Sequence, residues 1–261
     1  KSDTIYDRLK ICFTYMKNLR FILLLFLLTG CAQQLVFERK QYNSSYSPNY
    51  TTSYNSANIK MEVLEAKNDE NINKVIFENI KELSSFIDSQ NLTITNYNQL
   101  TKGFVETYKN AKNKTPENNI KNWDFELESN IEYETEEFVN IGINYTSSYG
   151  DASGFGGKRS LVFNKLSGNQ LKLEDIFSNP KAVSKLVEAK FRDKYKVNNS
   201  IPLNQQGYCF ENGSFYLTNN VFFNIEGVKF LYNINEISSY EKGSYEVFLT
   251  YQEIDKYLLI K

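Results

Sequence analysis

The 261-residue chain carries 30 basic and 31 acidic side chains and no histidine. Without histidine, Ser-His-Asp and Cys-His catalysis and His-containing zinc sites are excluded, so any chemistry falls to carboxylates, Lys or Tyr. A near-balanced charge with no large basic patch argues against a nucleic-acid partner.

Lys17 and Arg20 precede an unbroken apolar run, Phe21–Leu28, which closes on Leu28-Thr29-Gly30-Cys31. A positive stretch before a short greasy one is the layout of a secretory signal. The run is shorter than the ~20 apolar residues that a membrane span needs. The expected start is Met16, with residues 1–15 read as upstream read-through and residues 1–30 as the signal. The tetrapeptide resembles the lipobox of bacterial lipoproteins, which implies that Cys31 takes a lipid and becomes the new N-terminus. Acyl chains contribute ~0.8 kcal/mol per buried CH₂, enough for a stable anchor when two or more are present. The expectation is a cell-envelope protein held outside the cytoplasm through its lipid. Ala32 rather than Asp after the cysteine favours the outer membrane in a Gram-negative cell.

Removing residues 1–30, with five basic and two acidic side chains, leaves 25 and 29 and a net charge of −4. Cys12 falls in the removed prefix, so Cys209 stands alone and no intramolecular disulfide is expected. Cys209 reads as a small half-buried apolar residue.

Residues 31–56 are rich in Ser, Asn and Thr and read as a polar tether. Tyr42, Tyr46, Tyr50 and Tyr54 recur every four residues there; the reading is a polar linker that ends in a strand, not a glycan-stacking ladder. Folding should begin at Ala57, where Ile59, Met61 and Val63 alternate as in a strand. Ile72, Val75, Ile76, Ile80, Leu83, Phe86 and Ile87 follow at helical spacing. A weaker helix runs over 97–111 through Leu100, Phe104, Val105 and Tyr108. NKTPENN, residues 113–119, is expected to part an N-terminal lobe, 57–115, from a C-terminal domain, 120–261.

In the second part, Trp123, Phe125 and Leu127 alternate, as do Val139, Ile141, Ile143 and Tyr145. A hairpin is predicted around 166–169. Asn179-Pro180 opens a helix that faces its core with Val183, Leu186, Val187 and Phe191. Strands are predicted at 215–218, 221–225, 228–232 and 245–249, and a closing helical turn at 252–258. Helices among hairpins, without βαβα alternation, predict an α+β fold: a largely antiparallel sheet with helices packed on it, as one domain or two small lobes.

YGDASGFGGKRS, residues 149–160, is the densest glycine cluster. A phosphate loop needs Gly where Ala152 stands and Ser or Thr where Arg159 stands, so nucleotide binding is rejected. The segment is instead expected to be a long loop whose glycines take positive φ, with Lys158 and Arg159 giving it positive charge. Strand alternation would put Glu132, Glu134 and Glu136 on one face, and Glu174-Asp175 reads as a capped turn. No EF-hand pattern is present, and no metal or cofactor is expected. Glu236-Ile237-x-x-Tyr240-x-x-Gly243 reads as a turn with Ile237 and Tyr240 packed inward and Gly243 reversing the chain. Glu236, the member least explained by packing, is the best polar site candidate.

Several of these features occur in an order that resembles a known domain of unknown function. That domain is found in the extracytoplasmic part of a lysozyme-sensing anti-sigma factor and in the non-catalytic N-terminal part of a peptidoglycan deacetylase. Its Gly-Gly, Asn-x-x-Thr-Gly-x-x-Leu-x-Leu-x-Asp-Leu-Phe pattern falls on Gly156, Gly157, Asn164, Gly168, Leu171, Leu173, Asp175, Ile176 and Phe177. Its Tyr-Glu-Ile-Ala-Pro-Tyr-x-x-Gly falls on Asn235, Glu236, Ile237, Ser238, Ser239, Tyr240 and Gly243. Lys158 and Arg159 replace the family's His, and Asn235 and Ser239 its first Tyr and its Pro. The resemblance spans residues 123–258, and residues 57–111 are weakly similar to the companion unit. It implies a non-enzymatic module that binds cell-wall glycan or a lysozyme-like protein. The candidate ligand-binding residues are Tyr149, Gly156, Gly157, Lys158, Arg159, Glu236 and Tyr240. Two other readings stay open: a carboxylate-dependent enzyme on wall glycan using Glu236 or Glu134, and a structural lipoprotein of an envelope complex.

Overall fold

The computed structural model describes residues 35–48, 55–84, 93–114, 121–150 and 154–260. Cys31 and the apolar run before it lie outside these residues, as do Tyr50 and Tyr54. The described residues hold no helix long and apolar enough to cross a membrane.

Six strands form the main sheet in the order β1 (Phe37–Tyr46), β2 (Ala57–Ala66), β3 (Trp123–Glu134), β4 (Phe138–Tyr149), β5 (Phe155–Asn164) and β6 (Gln170–Leu171). All neighbours are antiparallel except β2 and β3, which run parallel with Ile59 opposite Phe125. Parallel neighbours need a crossover. Two helices supply it, α1 (Glu70–Leu83) and α2 (Tyr97–Lys114). Asp69 caps α1 by accepting from the Ile72 amide at 3.0 Å.

One face of this sheet meets the helices. Ile59, Met61 and Val63 of β2, Phe125 and Leu127 of β3, and Val139, Ile141 and Ile143 of β4 pack against Ile72, Ile76, Ile80, Leu100 and Phe104. The opposite face of β4 and β5 is covered too. A short α3 (Leu173–Ile176), then α4 (Pro180–Lys194), lead into a second antiparallel sheet of β7 (Val221–Phe223), β8 (Gly227–Tyr232) and β9 (Tyr245–Thr250). A final α5 spans Tyr251–Ile254. Asn179 caps α4 and Pro180 opens it, as the sequence predicts. Phe138 and Val162 belong to this second core, and Phe138 packs tilted against Phe223 with ring centroids 4.8 Å apart. Asn140 joins the layers, donating to the Leu161 carbonyl and accepting from the Phe223 amide.

The α+β class is as expected, but several local expectations are corrected. The tether contains a strand: β1 pairs along its whole length with β2. Its Tyr42 and Tyr46 reach under α2, against Tyr97 and Tyr108. Partial burial of these two rings offsets the low core propensity of the Ser/Asn-rich stretch. The 113–119 break does not separate two sheets, since β2 pairs directly with β3 across it. Residues 215–218 are irregular rather than a strand. The acidic alternation is interrupted by a bulge between Ile131 and Tyr133. Glu134 pairs with Lys165 at 3.6 Å, and Glu136 lies in the following turn. Cys209 is an exposed free thiol.

Side-chain amides repeatedly do the work of a neighbouring strand. The Asn73 amide accepts from the Ala66 N–H and donates to the Ala66 carbonyl, at 2.7 and 2.8 Å. Asn204 clamps Phe210 in the same way, at 2.9 Å for both bonds.

Candidate functional site

β5 is paired with β6 only at Val162 and Phe163, which leaves the edge at 158–160 without a strand. Amides fill that gap. Asn233 accepts from the Lys158 N–H at 2.8 Å and donates to the Lys158 carbonyl at 2.9 Å. Asn220 accepts from the Ser160 N–H at 3.2 Å, and the Ser160 hydroxyl donates to the Val221 carbonyl. Between this edge, α1 and the 216–220 segment lies a cleft of about 720 Å³. Its polar lining includes Asn79, Gln170, Tyr216, Asn219, Asn220 and Asn233.

The glycine cluster corrects the predicted loop. Phe155 to Arg159 are in β5, not in a loop, and Gly156 and Gly157 do not take positive φ. Gly150 is the member of the cluster that does, at 69°. A Cβ on Gly156 would sit 2.8 Å from the Tyr145 carbonyl, and one on Gly157 2.8 Å from the Tyr145 hydroxyl and 2.9 Å from Asn233 Oδ1. Those distances are closer than real side chains allow. The glycines therefore serve close approach: Gly157 lets the Tyr145 and Asn233 side chains close over the strand, and Gly156 lets the β4 backbone and Thr146 come near.

The other candidates divide. Arg159 spans to α1, donating to Glu82 at 2.6 Å and to Asn79 at 3.2 Å. Lys158 lines the cleft and makes no ion pair with the described residues. Glu236 also lines the cleft, with both carboxylate oxygens engaged: Tyr216 Oη donates at 3.0 Å and the Asn233 N–H at 2.7 Å. Burial, reinforced by the charge on Glu236, pushes the Tyr216 hydroxyl well above its ordinary pKa, so it stays a donor. Glu236 thus fixes the turn that carries Asn233, where Asn235 takes a φ of 65°.

Tyr240 is not packed inward. It is 43% exposed and donates to the Gly154 carbonyl at 2.6 Å. Tyr149 sits apart from the cleft in an aromatic group with Trp123 and Phe155, at centroid distances of 5.5 and 6.2 Å. Ile237 is fully buried and Gly243 has a φ of 75°, as the sequence predicts. The structure thus gathers Lys158, Arg159 and Glu236 at one cleft and leaves Tyr149 and Tyr240 outside it. The sequence reading missed Asn79, Tyr216, Asn220 and Asn233, whose isolated positions form no motif. Among the described residues, no three acids or cysteines gather as metal ligands.

A second hollow of about 540 Å³ lies over the strand face beside the cleft. Lys60, Glu62, Glu126, Glu128 and Thr146 surround it, with Gly156 and Gly157 contributing strand backbone to its lining.

Residues 174–252 match the family described as Protein of unknown function (DUF3298), so the chain carries a DUF3298 domain there. The similar solved structures include two of this family. One is a member of the DUF3298 family from Bacteroides fragilis, 20% identical, covering 86% of this chain and 93% of its own, with a TM-score of 0.58. The other is a DUF3298 family protein from Pseudomonas aeruginosa, 14% identical, covering 88% of this chain and 96% of its own, also at 0.58. At these identities the likeness is one of fold. No curated protein matches the sequence significantly.

Proposed function

We propose that this chain is a lipid-anchored cell-envelope protein, tethered through Cys31, whose folded part binds cell-wall glycan without catalysis. The observation that carries this reading is the cleft lining. Gln170, Asn219, the Tyr145 hydroxyl and the Lys158 ammonium line the cleft with donors and acceptors beyond those that hold its walls, which is what vicinal sugar hydroxyls and acetamido groups require. Carbohydrate hydrolysis by two carboxylates needs acids free to exchange protons about 5–9 Å apart. Here Glu82 is held by Arg159, and Glu236 by Tyr216 and the Asn233 amide, which leaves Glu174, among the described residues, as one unengaged carboxylate in the cleft lining where two are needed.

A second reading, capture of a basic lysozyme-like protein, rests on Glu62, Glu126 and Glu128 on the open strand face, of which Glu126 stands outside the ion pairs that Arg39 and Lys60 make with the other two. Calorimetric titration of the full chain with soluble muropeptides and, separately, with lysozyme tests both. Micromolar binding of muropeptides that is lost in Asn220→Ala is expected. Binding of lysozyme alone transfers the function to the strand face. Cleavage of the muropeptides overturns the non-enzymatic reading.

A further inference from the structure

The strand found within residues 31–56 shortens the leash between anchor and fold. Cys31 stands four residues before Leu35, where the described fold begins. A fully extended chain spans at most ~3.6 Å per residue, so this stretch reaches about 14 Å. A lipid on Cys31 therefore keeps the end of the sheet at which β1 starts close to the bilayer. The register identifies that end. Phe37 lies opposite Ala66, β2 runs parallel to β3, Glu134 lies opposite Val139, and Phe138 lies opposite Asn164. The start of β1, the β3–β4 turn and the hairpin after β5 thus share one end. Cross-links agree: the Lys165 N–H donates to the Glu137 carbonyl at 2.8 Å, and the Asn71 amide donates to the Gly168 carbonyl at 3.0 Å.

The second sheet sends a hairpin the same way. The Val221 carbonyl accepts from Ser160, while Phe223 meets Asn140 and Phe138 further down β4. The turn at 224–226 continues in that direction. Leu258 and Ile260 line a small cavity with Tyr133, Thr135 and Phe138, which brings the C-terminal segment to this end as well. Among the described residues, the most exposed large apolar side chains are Leu166 and Ile225 at 85%, Leu259 at 55% and Val36 at 45%. Each belongs to one of these segments. Exposed apolar side chains scattered singly are ordinary, but these four gather at the end that carries the leash.

We infer that this end of the protein rests on the bilayer, with Leu166 and Ile225 at the headgroup boundary. This rests on the lipid-anchor reading above and adds an orientation to it. Glu136 and Glu226 are exposed at the same end and would be repelled by anionic lipid. The contact is therefore apolar and suits a zwitterionic surface.

The test uses the full chain purified from membranes and placed in phosphatidylcholine vesicles, with and without bromine on the acyl chains. Trp123, the one native tryptophan, begins the 12-residue β3 at the far end, roughly 35 Å from the β3–β4 turn, and should keep its emission. Leu166→Trp and Ile225→Trp should each add emission that brominated lipid lowers about twofold or more, because a side chain at the boundary lies within ~10 Å of the acyl chains. An unchanged thermal midpoint would show that the variants fold. Mass spectrometry of the purified chain shows whether Cys31 carries lipid. A chain without lipid there overturns the anchor reading and, with it, this inference. A lipidated chain whose added tryptophans escape brominated lipid overturns the orientation and leaves the anchor standing. Added tryptophans shielded from both brominated lipid and aqueous acrylamide would put a second copy on this end and overturn the lipid contact.

Discussion

The two cores of this protein place their aromatic rings differently. Under the helices, rings such as Phe77, Phe104, Phe125 and Phe163 are spread among Ile, Val, Leu and Met on long strands and regular helices. In the second core, aromatic rings crowd around Phe191, whose ring lies 5.0–6.4 Å from those of Tyr195, Tyr208, Phe210, Phe215, Tyr232 and Tyr245. Four of those partners, Tyr195, Tyr208, Phe210 and Phe215, lie outside α-helix and strand. Small branched side chains fill the space between regular elements. Large flat ones let irregular segments pack as densely, because each ring buries 150–250 Å² from whatever backbone it hangs on.

The contrast breaks most sharply at Phe191. Phe191→Ala should cost about 3–5 kcal/mol, since it removes the ring that six others share. Urea denaturation followed by tyrosine fluorescence would measure it, and a loss under 1 kcal/mol would mean that the aromatic core is not organised around this position. A smaller effect is expected where a hydrogen-bonded clamp, not a ring, holds the second half to the first. Asn233→Asp keeps an acceptor for the Lys158 N–H but removes the donor to its carbonyl. It should destabilise by about 1–3 kcal/mol, with Asn233→Ala no worse. The smallest change belongs to the aliphatic core: Ile76→Val, at a fully buried site, should cost about 0.5–1.5 kcal/mol, with an unchanged denaturant slope.

The same contrast explains what could be read from the sequence. Periods of two and of three to four residues come from regular elements, so Ile59–Val63, Ile72–Leu83 and Val139–Ile143 were legible as strand, helix and strand. The cap at Asn179-Pro180 and the reversal at Gly243 were legible because each has a local chemical cause. The segment 203–220 was not, since its rings are ordered by tertiary contacts with no period. The candidate site was legible in part. Lys158, Arg159 and Glu236 were found from a glycine cluster and an acidic turn. Their partners Asn79, Asn220 and Asn233 are far apart in the chain and meet only when β5 offers its open edge. The glycine cluster was located correctly but assigned the wrong role: composition cannot distinguish a glycine that turns the chain from one that lets a tyrosine lie flat.

The asparagine clamps carry a consequence over time. Each one uses the donor and the acceptor of a single amide, at Asn73 on Ala66, Asn204 on Phe210 and Asn233 on Lys158. Spontaneous deamidation converts such a group to a carboxylate, which only accepts. The damage adds just one negative charge and one mass unit, yet it sets an anion against a carbonyl that formerly received a hydrogen bond. A strand edge has no such dependence on one side chain, whereas loss of a single amide here would open one of these three junctions and leave the other two intact.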